Sequence, residues 1–150
     1  MLTRRFAQAM GVIFLLVGIM GFIPALLTDP STHPHGDHNL TVHAFDGYLL
    51  GLFHVNALHS GVHVLFGILG LVMGTKWDTA RLYARIVAVS YGLLTIMGLV
   101  PALNTVFGFI PIHGHDVWLH ALIAIVAAYF GFGAPAETRV DSTSPVVPSH

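Results

Sequence analysis

His59 and His63 stand four residues apart in Val55-Asn56-Ala57-Leu58-His59-Ser60-Gly61-Val62-His63, and Asp116 and His120 repeat that spacing further along the chain. On a helix, residues at i and i+4 lie roughly 40° apart around the axis, so each pair projects from one face and can reach one ion. Three imidazoles and a carboxylate make a nitrogen/oxygen donor set suited to Zn²⁺, Cu²⁺, Ni²⁺ or Fe²⁺. The chain has no cysteine, so thiolate sites, iron–sulfur clusters and disulfides are excluded, and metal chemistry falls to the eleven histidines and the few carboxylates. Asn56, one helical turn before His59, would steady such ligands by hydrogen bonding. Two other roles compete for the same residues. His59 and His120 could be the two axial ligands of haem b in an electron carrier. Alternatively the whole group is hydrogen-bonding glue between helices of a structural membrane subunit, each bond contributing roughly 0.6–2 kcal/mol.

Catalysis is not expected. Ser60 occupies the place where the H-E-x-x-H zinc helix carries its glutamate base. No Gly-rich phosphate loop follows a strand. A second group of histidines, His33, His35 and His38 with Asp37, lies in a Pro- and Gly-containing stretch and could collect divalent cations and deliver them to the first group.

The elements that position these residues follow from composition. Hydrophobic residues make up 55% of the 150, charged residues only 9%, and the mean hydropathy is +0.76. A soluble core of this size could not hide so much apolar surface, whereas a bilayer can. A net charge of −1 without a basic stripe argues against a nucleic-acid partner. Four apolar runs predict membrane-spanning helices over about 6–27, 52–74, 82–103 and 116–133, with Pro24 and Pro101 in the last turns of the first and third. Polar groups within such helices are costly, so the histidines need a reason to be there. Counting from these starts, His59 should lie about seven residues, or ~10 Å, into its helix and His120 about four, or ~6 Å.

An N-terminus in the cytoplasm puts Arg4, Arg5, Lys76, Arg81, Arg85 and Arg139 all inside, which the positive-inside rule favours. The segments about 28–51 and 104–115 are then external loops, the first of them irregular. Arg4-Arg5 before an apolar run resembles a signal peptide, but no small-x-small cleavage site ends the run, so a retained helix is expected. Residues 134–150, rich in Ser, Thr and Pro, should be a disordered cytoplasmic tail.

Ile19-Met20-Gly21-Phe22-Ile23-Pro24-Ala25-Leu26 recurs as Ile96-Met97-Gly98-Leu99-Val100-Pro101-Ala102-Leu103 with six identities in eight, and Leu58-His59 recurs as Leu119-His120. The chain therefore reads as an all-α transmembrane four-helix bundle, residues 1–133, built as a duplicated helical hairpin in parallel repeat with both termini cytoplasmic. Its small-residue stripes, with Gly11, Gly18 and Gly21 on the first helix and Gly67, Gly70 and Gly74 on the second, mark the faces that pack.

Three segments resemble the signatures of one family. They are Gly11 to Pro24, Val55 to Gly67 and Asp116-Val117-Trp118-Leu119-His120, and the family is the bacterial membrane family catalogued as domain of unknown function 4383. The resemblance covers about 6–133 and implies a four-helix protein of the bacterial inner membrane with no established activity. His59, His63, Asp116 and His120 match the family pattern, whereas Ser60 departs from the asparagine usual there and the His-rich loop is an embellishment. The combined expectation is a multipass, non-catalytic protein that binds or senses a transition metal at its outer face. Its partners would be the bilayer and, unidentified by sequence, a further copy or another membrane protein.

Overall fold

The computed structural model describes residues 1–33 and 40–135 and is mostly helical. Four helices, α1 (Leu2–Met20), α2 (Ala57–Met73), α3 (Trp77–Leu99) and α4 (His115–Ala128), carry the apolar runs. α4 continues into a π-helical turn, Tyr129–Gly133. Three stretches, Leu2–Met20, Trp77–Leu99 and His115–Gly133, are long and apolar enough to cross a membrane, and α2 is apolar but shorter at 17 residues.

α1 packs along α2 and α3 along α4, each pair brought close by small residues. A methyl group at Gly11 would lie 2.8 Å from the Leu71 nitrogen, and one at Gly70 would lie 2.7 Å from the Gly11 Cα. Backbones at that range make dispersion contacts that larger side chains would prevent, the mechanism by which helices associate where lipid supplies no hydrophobic drive. Phe14, Tyr83, Val87 and Tyr91 fill the centre between the pairs. The Tyr83 hydroxyl donates to the Phe66 carbonyl at 3.1 Å, which ties α3 to α2.

The basic residues gather at one end. Arg4 Nε donates to the Gly74 carbonyl at the end of α2 (3.4 Å), and Arg81 and Arg85 both donate to the Gly131 carbonyl (3.0 and 2.9 Å). Cations at helix C-termini meet orphan carbonyls and the negative end of the dipole.

The other end differs from the sequence expectation in three respects. The segment between α1 and α2 is not wholly irregular: β1 (Leu27–Thr28), β2 (Gly47–Leu49) and β3 (Phe53–Val55) form an antiparallel sheet in that order. Leu49 pairs with Phe53 and Gly47 with Val55, and Leu50 and Gly51 between the strands both take positive φ, the backbone that lets a tight hairpin close. Leu52 to Val55 therefore belong to the hairpin and not to α2, which begins five residues later than its hydropathy suggested. Apolar side chains alone cannot tell a buried strand from a helix.

Pro24 and Pro101 lie beyond the helices, since α1 ends at Met20 and α3 at Leu99. Pro24 opens a short 3-10 turn and Pro101 a run of turns. A proline disfavours helical geometry in the residue before it, and Ile23 and Val100 are both extended. α3 starts at Trp77, five residues before the apolar run: Asp78 in its first turn suits the N-terminal dipole, and the Thr79 hydroxyl donates to the carbonyls of Met73 (2.6 Å) and Lys76 (3.1 Å). Of the His-rich stretch, His35, Asp37 and His38 lie outside the described residues, as does the tail from 136.

Candidate metal centre

α2 and α4 both begin at the end of the bundle opposite the arginines, and their first turns carry the polar residues. Asn56 is the N-cap of α2: its Oδ1 accepts from the His59 amide at 3.0 Å, while its Nδ2 donates to the carbonyls of Val42 (3.2 Å) and Phe109 (2.7 Å). One fully buried side chain thus starts the helix and fastens both outer loops to it. His59 is consequently the third residue of α2, roughly 3 Å along its axis instead of ~10 Å. His120, the sixth residue of α4, stands close to its expected depth of ~6 Å.

His59, Asp116 and His120 converge. One ligand atom from each lies within 4.8 Å of the other two, and all three residues are buried. The His59 and His120 ring centroids are 6.2 Å apart, and Tyr91 meets His120 edge-on at 5.0 Å. His59 Nδ1, Asp116 Oδ2 and His120 Nδ1 are buried and have no hydrogen-bond partner among the described residues. An unpaired buried polar atom costs about 1–3 kcal/mol, more if charged, so three in one place call for an occupant.

His63 is placed differently. Its Nδ1 is 3.1 Å from the His59 carbonyl within the same helix, its ring stacks on His59 at 4.8 Å, and Phe14 covers it at 5.5 Å. It buttresses the His59 ring and is not one of the three convergent donors. His33 lies apart, stacked on Tyr48 at 3.8 Å with its Nε2 3.3 Å from the Thr28 hydroxyl.

Sequence reasoning missed His54, His113 and Asp46. His54 Nε2 is 2.8 Å from Asp46 Oδ1 and His54 Nδ1 is 3.1 Å from His113 Nε2. No local signal pointed to the group: alternation along Phe53-His54-Val55 sets His54 on the face opposite its two apolar neighbours, and His113 lies 59 residues away.

Chemically, the three convergent residues offer two neutral nitrogens and a carboxylate. No Lys or Arg among the described residues lies at this end to neutralise Asp116. Ligands of one tetrahedral ion with bonds of about 2.0–2.1 Å lie roughly 3.3 Å apart, so small side-chain rotations would close the set.

In comparison with known proteins, the family described as Domain of unknown function (DUF4383) matches residues 4–133. No curated protein and no solved structure matches the chain.

Proposed function

The chain belongs to the family described as Domain of unknown function (DUF4383), and from that premise we propose that it is a non-catalytic multipass membrane protein that binds or senses a first-row transition-metal ion through His59, Asp116 and His120. The observation that carries the proposal is the convergence of three buried donors, each with an unpaired atom. Glue between helices would instead have these groups bonded to one another. The carboxylate, with no Lys or Arg beside it, supplies the negative charge that a divalent cation requires, and imidazole with carboxylate suits Zn²⁺, Cu²⁺, Ni²⁺ or Fe²⁺.

The setting is the bacterial inner membrane, crossed four times, with α2 as the shortest span at 17 residues, near the lower limit for a bilayer. Both termini lie in the cytoplasm with the arginine end, and the metal centre faces outward. α1–α2 and α3–α4 are copies of one hairpin, each contributing a histidine (His59 or His120) to the shared centre. The protein acts alone in lipid or as a subunit of a larger membrane assembly.

Purification without a histidine tag in mild detergent, followed by elemental analysis and an absorption spectrum, tests this reading. About one ion per chain is expected, lost in His59→Ala and His120→Ala. Protein grown with metals and haem precursors that carries no stoichiometric metal would overturn it. A Soret band lost in the same variants would replace it with haem, and neither chromophore nor metal would leave the histidines as packing residues.

A further inference from the structure

Outside the buried centre, a cleft of about 400 Å³ opens at the same end of the bundle, walled by His33, Tyr48, His113 and His115. His54, 1% exposed, lies behind that wall, stacked on Tyr48 at 4.6 Å and meeting His113 of the cleft lining. A carboxylate only accepts, so the 2.8 Å contact with Asp46 places the proton on His54 Nε2 and leaves Nδ1 with its lone pair. That lone pair points at His113 Nε2, 3.1 Å away. A histidine whose second nitrogen donates to a carboxylate is the usual arrangement of a metal ligand, oriented and made more basic by its partner. Two imidazole nitrogens 3.1 Å apart are also at the spacing, roughly 3.3 Å, of neighbouring ligands on one tetrahedral ion.

We propose that His54 Nδ1 and His113 Nε2 form a second, exchangeable site for a divalent transition-metal ion, with Asp46 holding His54 in the ligating tautomer, and that this site loads the buried centre. Binding replaces the hydrogen bond between the two rings: His113 gives up its Nε2 proton, to its own Nδ1 or to water in the cleft, and both facing nitrogens then carry lone pairs. With two protein ligands the ion keeps waters from the cleft and exchanges readily, whereas His59, Asp116 and His120 offer three ligands in a closed setting. The second site stands on its own geometry; its loading role rests on the metal reading of the buried centre.

Equilibrium dialysis of the untagged full chain in detergent against Ni²⁺, followed by the rate of loading, separates the two. Wild type should bind one ion tightly and a second more weakly. His113→Gln, which keeps a hydrogen-bonding amide but is a poor ligand, should lose the weaker ion and fill the tight site severalfold more slowly. Asp46→Asn should weaken the second ion by about 10–100-fold. The double variant His59→Ala, His120→Ala should lose the tight ion and keep the weaker one. If His113→Gln and Asp46→Asn bind and load like wild type, the second site is wrong while the buried centre stands. If the double variant changes nothing but His113→Gln abolishes binding, the buried centre is wrong and the outer site stands without its loading role. Absence of any bound Ni²⁺ overturns both.

Discussion

Asn56 concentrates more structural consequence than any other single side chain near the site. Its loss removes an N-cap, worth about 1 kcal/mol, and strands the carbonyls of Val42 and Phe109 beside a cavity. Asn56→Ala should therefore lower stability by roughly 2–4 kcal/mol in detergent unfolding, and Asn56→Asp, which keeps the acceptor but not the donors, should recover only the capping part. Equal stability of the two variants would mean that the loop carbonyls are not held from this residue. Ser60 is the opposite case. Its Oγ is buried without a partner among the described residues and packs against Gly21, so Ser60→Ala should be neutral or stabilising by up to about 1 kcal/mol; a clear loss on thermal melting would reveal a partner. Spacing at i and i+4 singled out His59, Asp116 and His120, but it singled out His63 equally, which turns back to the His59 carbonyl, because local spacing does not encode how α2 and α4 meet. The His54–His113 link joins residues 59 apart across two loops, and no local pattern encodes it.

At the scale of elements, the helices were readable and their ends were not. Hydropathy placed four helices because lipid-facing residues must be apolar along the whole span, but Leu52 to Val55 are as apolar as the helix they precede and fold as a strand because the positive φ at Leu50 and Gly51 closes a hairpin there. The packing faces were legible from glycine, and they carry a paired prediction. A methyl at Gly70 would meet the Gly11 Cα at 2.7 Å and the Ala7 carbonyl at 2.8 Å, while one at Gly61 meets nothing within 4 Å. Gly70→Ala should destabilise the α1–α2 pair by about 1–3 kcal/mol through overpacking. Gly61→Ala, in the same helix, should raise stability by roughly 0.5–1 kcal/mol, because alanine loses less backbone freedom than glycine on becoming helical. Thermal melting of both in one detergent checks the pair, and equal effects would mean that α1 and α2 do not approach as closely as their backbones indicate.

For the whole molecule, polarity runs along the bundle axis. One end holds Arg4, Arg81 and Arg85 on the carbonyls that close α2 and α4, and the other holds the first turns of α2 and α4 with the acid and the histidines. Each arginine caps a helix C-terminus, and in the proposed orientation it would also be a charge retained in the cytoplasm, so the caps and the topology would share one cause. The opposite orientation would carry three capping cations outward and place the proposed metal centre in the cytoplasm. The orientation can be read with single cysteines, since the chain has none of its own. Ser31 and Ala102 are exposed at the histidine end and Thr75 at the arginine end, where its hydroxyl donates only to the Val72 carbonyl of its own turn (2.8 Å). In intact bacterial cells whose outer membrane admits the reagent, an impermeant maleimide should label Ser31→Cys and Ala102→Cys, and label Thr75→Cys only after the inner membrane is opened. Labelling of Thr75→Cys in intact cells with the other two protected would invert the protein and turn both proposed metal sites toward the cytoplasm. Labelling of all three would show that α2, shorter at 17 residues than the three stretches long enough to cross a membrane, does not separate the two ends.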